Sequence, residues 1–186
     1  NPSPIRVPPS SREIEEKTGL VTLMDSVARS VSKEIRQVRA TYGEAERRIE
    51  VAAHPFGLVS DNQTYTLLTA QCVAGDGSGL AAGYESGGGT AGWEFLEEFV
   101  PETLARKAAQ RAARTLSARR IPGGRMPVVL SAEAGGTMVH EAIGHGLEAD
   151  LARQGMSVYK DELGKEVASP LVSIIDDATV PWKRGS

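Results

Sequence analysis

The sequence predicts an α+β chain: a helix, an antiparallel strand meander and a closing helix, followed by the start of a second α/β domain. An apolar stripe with spacings of three and four residues near the N-terminus predicts the first helix. Short stretches rich in threonine and valine, joined by close turns, predict the antiparallel strands. A segment with two prolines and two glycines, "RRIPGGRMP", interrupts any helix or strand and separates the two domains.

The first thirty residues predict a linker followed by a helix. Four prolines among the first nine residues make residues 1–10 an extended linker. Ser10 and Glu13 fit a capping box, in which each side chain accepts a hydrogen bond from the backbone amide of the other residue. The helix is therefore expected to begin near Ser10 or, because glycine is a poor helix former, as late as Gly19. The stripe that this helix would bury consists of Leu20, Leu23, Met24, Val27 and Val31.

The meander follows this helix. Residues 35–54 predict a strand, a turn at residues 43–46 and a second strand, and residues 64–86 predict two more strands. Glycines at Asp76–Gly79 can supply the positive φ angles of a hairpin turn. The segments "GDGSG" and "GGGTAG" are also candidates for a phosphate-binding loop. Neither precedes Lys-Ser/Thr or joins a strand to a helix in a βαβ unit, so a hairpin and a linker are favoured.

A closing helix is predicted after Pro101, since proline suits the first helical turn. Its apolar face is rich in alanine, which indicates close packing on a neighbour, and consists of Leu104, Ala105, Ala108, Ala112 and Leu116. Basic residues lie largely on its other faces: Arg106, Lys107, Arg111 and Arg114. Because 24 acidic residues outnumber 21 basic ones, this run is interpreted as solvated, and no nucleic-acid or anionic-membrane partner is expected.

Composition excludes several further classes of protein. No run of about 18 apolar residues occurs, so no membrane-spanning helix is expected. The N-terminal residues lack the apolar core of a secretory signal. The single cysteine, Cys72, excludes an internal disulfide and fits a reducing compartment, so the expected location is cytoplasmic. Cys72 itself is expected to be a small residue of a strand.

The boundary segment divides the chain into a first domain, residues 11–120, and the beginning of a second, residues 126–186. In the second domain, residues 128–131 predict a strand, residues 135–155 a helix and residues 170–177 another strand. Four apolar side chains near the middle of this helix are expected to pack in a core: Met138, Val139, Ile143 and Leu147.

The predicted helix of the second domain carries the sequence "HEAIGH", with His140 and His145 five positions apart and Glu141 directly after the first histidine. In a regular α-helix, residues five apart point about 140° away from each other. One inserted residue, a π-bulge, widens the turn so that positions i and i+5 face the same way. Gly144 and Gly146 flank His145, where a helix tolerates such distortion. The spacing therefore predicts a widened turn that directs both imidazoles at one point.

Two imidazoles so arranged favour a metal site. Neutral imidazole is a good zinc ligand, and catalytic zinc typically takes three protein ligands and a water. Bound zinc lowers the pKa of that water and polarises a carbonyl, and Glu141 would carry the proton from the water to the leaving amine. His140 and His145 supply two ligands, so a third must lie elsewhere. The alternative is that both histidines are structural, as a lone histidine such as His54 usually is.

The sequence from residue 126 to the end resembles the segment around the metal motif of the TldD/PmbA family, above all in "HEAIGHGLEAD", "VASPLVSIIDD" and "RGS". The upstream region, which ends in "GGGTAGWEF", is similar to the central domain of that family. The resemblance is to the TldD type, which bears the HExxxH motif, and it implies a zinc metallopeptidase with His140 and His145 as metal ligands and Glu141 as the catalytic acid and base. It also implies unfolded peptides or small proteins as substrates, as in precursor processing and antitoxin degradation, and a dimer with itself or with a motif-less paralogue.

The chain departs from the family pattern in length and in ligands. Family members are more than twice as long, and their third metal ligand is a cysteine near the C-terminus that has no counterpart here. Cys72 is not expected to replace it, because it precedes the histidines by about 70 residues in the predicted meander. The second domain is thus expected to be incomplete and this chain inactive alone. The alternative function is a non-catalytic binding or assembly subunit with structural histidines.

Overall fold

The computed structural model describes residues 5–177, 179–181 and 183, with only the backbone described for Glu133. Residues 121–176 form one compact unit, and the described residues before and after them belong to another. The α+β class predicted from the sequence is confirmed. The domain limits predicted above stay a prediction. No helix in the described part of the chain combines the length and the apolar character needed to cross a membrane.

The first unit opens with a short 3₁₀ turn, Pro9–Ser11, and helix α1, Ile14–Val31. The predicted capping box is wrong: the N-cap is Glu13, which makes no side-chain capping bond, and the Ser10 hydroxyl donates to Glu46 instead. The separate 3₁₀ turn accounts for this, because it moves the start of the α-helix beyond the reach of Ser10. The helix passes Gly19 without a break and buries the side chains of Met24 and Ala28.

Three antiparallel strands follow in the order β1-β2-β3: β1 is Ile35–Ala53, β2 is Gly57–Gly75 and β3 is Leu80–Gly89. The turn predicted at residues 43–46 is wrong, because β1 continues through it with Gly43 paired to Leu67. The chain reverses at residues 54–56 instead. Glycine does not force a turn in an extended strand, and here the partner strand is long enough to pair with all of β1.

The hairpin predicted between β2 and β3 is confirmed. Gly77 has φ +93°, and the Asp76 carboxylate accepts hydrogen bonds from the backbone N–H and the hydroxyl of Ser78 at 2.9 and 2.6 Å. These local bonds fix the turn without help from the rest of the unit.

The core of the first unit lies between one face of the sheet and the helices. Alternate residues of β2 are buried there, with Cys72 fully inaccessible in its predicted place on a strand. Helix α2, Pro101–Leu116, has proline in its first turn as predicted. Its predicted apolar face enters the core cluster: Leu104, Ala105, Ala108 and Ala112 are buried, and Leu116 is partly buried. The predicted exposure of its basic residues is also confirmed, and Arg111 forms a 2.5 Å ion pair with Glu85 of β3.

The second unit contains helix α3, Ala132–Val139, a distorted turn at residues 140–147, and helix α4, Ala149–Arg153. The strands predicted at 128–131 and 170–177 are wrong, because both segments are irregular. A strand needs a partner for its backbone hydrogen bonds, and the described residues of this unit contain no strand with which either segment could pair. Ser131 instead caps α3 by accepting a hydrogen bond from the Ala134 N–H.

The apolar side chains near the histidines do not form the predicted core. Met138 and Leu147 are 51% and 55% exposed, and Val139 and Ile143 are only partly buried. The second unit has too little regular structure to enclose them.

Candidate metal centre

The distorted turn of the second unit is a π-helix. Five residues, His140–Gly144, adopt this form, and the backbone N–H of His145 donates to the carbonyl oxygen of His140, five residues earlier. A 3₁₀ turn, His145–Leu147, then leads to α4. The widened turn predicted from the histidine spacing is therefore present where the sequence placed it.

The π-turn brings the two imidazoles together. The ring centroids of His140 and His145 lie 4.5 Å apart, at an interplanar angle of 68°. One ligand atom from each of His140, Glu141 and His145 can be chosen so that all three lie within 4.8 Å of one another, and all three side chains are exposed. A single cation could contact these groups, with imidazole nitrogens and a carboxylate oxygen as donors. That donor set fits zinc, which is borderline soft and readily takes nitrogen and oxygen ligands.

The two glycines of the motif differ in their surroundings. A Cβ at Gly144 would lie 3.6 Å from Nδ1 of His140, which is an ordinary contact. A Cβ at Gly146 would lie 2.7 Å from Cε2 of Tyr159, so glycine makes room there for the tyrosine ring. The Ser157 hydroxyl also donates to the carbonyl oxygen of Gly146. Residues 157–159 thus hold the backbone directly after His145.

Glu148 belongs to this site but was not among the site residues predicted from the sequence. One oxygen of its carboxylate lies 2.6 Å from Nδ1 of His145. That hydrogen bond raises the pKa of His145 above its usual value, and the negative charges of Glu148 and Glu141 add to the effect. The signal was present in the sequence: a carboxylate three residues after a histidine lies on the same side of a helical turn.

The opposite nitrogen of the same ring faces Glu141. Nε2 of His145 is 3.7 Å from the nearer oxygen of the Glu141 carboxylate. The His145 imidazole therefore lies between two carboxylates. Nδ1 is hydrogen-bonded to Glu148, and Nε2 faces Glu141 in the possible ligand group of His140, Glu141 and His145.

Cys72 is not available as a further ligand. It is fully buried on β2 inside the core of the first unit, and burial raises the pKa of its thiol. Metal binds the thiolate, so a buried thiol that keeps its proton is a poor ligand. The third protein ligand expected from the family pattern stays a prediction.

An α+β fold with a His-Glu-x-x-x-His motif on a widened helical turn indicates a protein of the metal-binding class. Comparison with family models gives the family. Residues 7–116 match the PmbA/TldA metallopeptidase central domain, and residues 123–186 match the PmbA/TldA metallopeptidase C-terminal domain. This chain belongs to the PmbA/TldD metallopeptidase family, as the resemblance of its motifs indicated.

Individual relatives agree with this assignment. The chain is 36% identical over 173 residues to a protein named metalloprotease from Methanothermobacter thermautotrophicus. The matched residues cover 93% of this chain and 38% of that protein. It is 32% identical over 177 residues to a metalloprotease TldD homolog from Haemophilus influenzae, with 92% of this chain and 37% of that protein covered. The chain thus spans less than two fifths of the length of the curated relatives it matches.

Solved structures support the fold alone. A protein of Thermotoga maritima, described as a proposed modulator of DNA gyrase, has a TM-score of 0.74 at 17% identity, over 89% of this chain and 37% of that one. A protein from Bacteroides thetaiotaomicron with a similar description also has a TM-score of 0.74 at 17% identity, over 91% and 38% of the two chains.

Proposed function

We propose that this chain carries the central part of a zinc-dependent peptidase, with His140 and His145 as metal ligands and Glu141 as general base and acid. The observation that supports the proposal most is the π-turn, which brings both imidazoles and the Glu141 carboxylate within 4.8 Å of one another. A structural role for the histidines would not require this approach of three exposed polar groups, because exposed side chains gain little from packing.

The three side chains divide the work. His140 and His145 would hold the ion through ring nitrogens, and the ion, when bound, supplies a Lewis acid that activates water and polarises the scissile carbonyl. Glu141 lies next to the ligand group, 3.7 Å from Nε2 of His145. Its carboxylate accepts the proton of the attacking water and passes it to the nitrogen of the leaving amine. Besides His140 and His145, a third protein ligand from another part of the protein would complete the coordination of the metal.

The openness of the site and the family support a proposal for the substrates and the partners. The side chains of Glu141 and His145 are 66% and 52% exposed, so the site has no enclosing walls in the described residues. We infer that its substrates are unfolded peptides or small proteins, in precursor processing or antitoxin degradation. A dimer with a second copy or with a motif-less paralogue is the proposed assembly. A cytoplasmic location fits the single, buried thiol.

The test is zinc-dependent hydrolysis of an unstructured peptide by the natural protein. Cleavage should require zinc and should stop on chelation, and His145→Ala should abolish both zinc retention and cleavage. His54→Ala is the matched control, because His54 lies in the exposed turn between β1 and β2. If the protein binds no zinc and its cleavage survives chelation, the peptidase proposal is wrong. Zinc-free protein that cleaves nothing would instead favour the binding or assembly subunit.

A further inference from the structure

Glu148 is joined to His145 by two hydrogen bonds. Its backbone N–H donates to the carbonyl oxygen of His145 at 3.3 Å, and its carboxylate lies 2.6 Å from Nδ1 of the same residue. The first bond closes the 3₁₀ turn and fixes where the Glu148 backbone lies relative to the histidine. The second fixes the imidazole ring relative to that backbone.

The carboxylate of Glu148 does not serve as a helix cap. Glu148 occupies the N-cap position of α4, where a side chain commonly accepts a hydrogen bond from a backbone N–H of the first turn. No such side-chain bond is made at this N-cap. The side chain turns back to His145 instead, so its position cannot be explained by the stability of α4.

The contact has a chemical consequence for the ring. An ionised carboxylate only accepts hydrogen bonds, so Nδ1 of His145 must be the protonated nitrogen of a neutral ring. The lone pair then resides on Nε2, the nitrogen that faces Glu141. Histidine ligands of metals are commonly oriented in this way by a carboxylate at the other nitrogen, which fixes the tautomer and increases the basicity of the ligand atom.

We propose that Glu148 is a positioning residue that selects the Nδ1–H tautomer and the ring orientation of His145, so that Nε2 is presented as the metal ligand. This role of Glu148 rests on the proposed function, because presenting Nε2 as a ligand matters only if a metal binds there. The tautomer and the ring orientation are, however, properties of the metal-free chain and can be measured without metal or activity.

The first experiment measures the tautomer of His145 in metal-free protein. Histidine labelled with ¹⁵N, observed at a pH where the ring is neutral, distinguishes Nδ1–H from Nε2–H by the two nitrogen shifts. We expect Nδ1–H for His145 in the unaltered protein and a shift toward Nε2–H in Glu148→Ala. Glu162→Gln is the matched control, since Glu162 contacts Lys165 at the same i,i+3 spacing in the same unit. If His145 keeps the same tautomer in Glu148→Ala, the proposal is overturned.

The second experiment measures zinc affinity by competition with a fluorescent chelator. Loss of such an orienting carboxylate typically lowers metal affinity by about 10–100-fold. We expect a loss of that size in Glu148→Ala, partial recovery in Glu148→Gln, which keeps an acceptor oxygen, and no change in Glu162→Gln. Far-UV circular dichroism establishes that each variant retains its helices. Equal zinc affinity in the unaltered protein and Glu148→Ala would also contradict the proposal.

The two experiments separate this inference from the proposed function. A protein whose His145 tautomer depends on Glu148, but which binds no zinc, would refute the metal site and retain the orienting contact. A protein that binds zinc with the same affinity and tautomer in every Glu148 variant would retain the site and refute the role of Glu148.

Discussion

Gly83 of β3 lies directly against Ala108 of α2: a Cβ at Gly83 would be 2.1 Å from the Ala108 carbonyl oxygen and 2.5 Å from the Ala112 nitrogen. Both neighbours are backbone atoms, which cannot move aside as a flexible side chain can. The helix therefore rests on the sheet backbone at this point. This close approach explains why alanine dominates the buried face of α2, because larger side chains would hold the two layers apart.

The first prediction is that Gly83→Ala lowers the free energy of unfolding by about 1–3 kcal/mol, the usual cost of overpacking a filled core. The added methyl group must displace α2, so the loss should appear in the urea midpoint with the slope unchanged. Gly43→Ala is the control: Gly43 also lies in a strand, but a Cβ there meets nothing within 4 Å. Equal stability of the two variants would contradict the packing described.

Glu94 is a buried carboxylate of the first unit that is hydrogen-bonded to the backbone of the N-terminal segment. Its carboxylate is nearly inaccessible and accepts backbone N–H hydrogen bonds from Arg6, Val7 and Gly92 at 3.2, 3.0 and 3.1 Å. Burial alone would raise the pKa of Glu94, but the backbone hydrogen bonds outweigh it and the pKa is lowered. The folded state therefore favours the ionised carboxylate, which holds the backbone of Arg6 and Val7 in place through hydrogen bonds.

The second prediction is that Glu94→Gln destabilises the protein at pH 7 by about 1–3 kcal/mol, since an amide cannot accept all of these bonds and leaves buried donors unpaired. A carboxylate with a lowered folded-state pKa contributes stability above its unfolded pKa, about 4.3 for glutamate, and loses it as the pH falls through the folded value. The difference between the two proteins in urea unfolding should accordingly shrink from pH 7 to pH 3. Glu97→Gln should change little, because Glu97 is 68% exposed.

Local chemistry made part of the structure predictable. The hairpin at Asp76–Gly79 is fixed by bonds within four residues, and the π-turn lies where the five-residue spacing of His140 and His145 predicted it. Each of these features depends on residues that are close in sequence, so a short stretch of the chain contains the information. The alanine face of α2 was predictable for a related reason, because helical spacing defines a face.

Other features depend on partners that the local sequence does not reveal. The length of β1 is set by pairing with all of β2, so a glycine that suggested a turn lies in mid-strand. Residues 128–131 have the composition of a strand but no strand to pair with among the described residues of their unit. The spacing of three residues permits a contact between Glu148 and His145, but it does not specify that the Glu148 side chain turns back to the histidine from an N-cap position.

The third prediction concerns the reactivity of Cys72. The thiolate is the reactive form, and both burial and the nearby Asp25 carboxylate raise the pKa of this thiol. A thiol reagent should therefore not label the native protein at pH 7.5 over hours, whereas it should label the urea-unfolded chain within minutes. Ser60→Cys, at an exposed position of β2, should add one thiol that reacts at once. Rapid native labelling of the unaltered protein would show that the core cluster around Cys72 is not closed.

The fourth prediction separates the roles of His140 and Glu141 in the natural protein. His140→Ala removes a ring nitrogen from the ligand group and should lower zinc affinity by at least 10-fold, the lower limit of about 10–100-fold that is typical even for outer-shell losses. Glu141→Gln keeps the size of the side chain but cannot accept a proton, so zinc content should persist while peptide cleavage falls by about 10²–10⁴-fold. Elemental analysis and a fluorogenic peptide assay measure the two effects. If Glu141→Gln loses its zinc as His140→Ala does, Glu141 is itself a metal ligand, a role that its place within 4.8 Å of both imidazoles would permit.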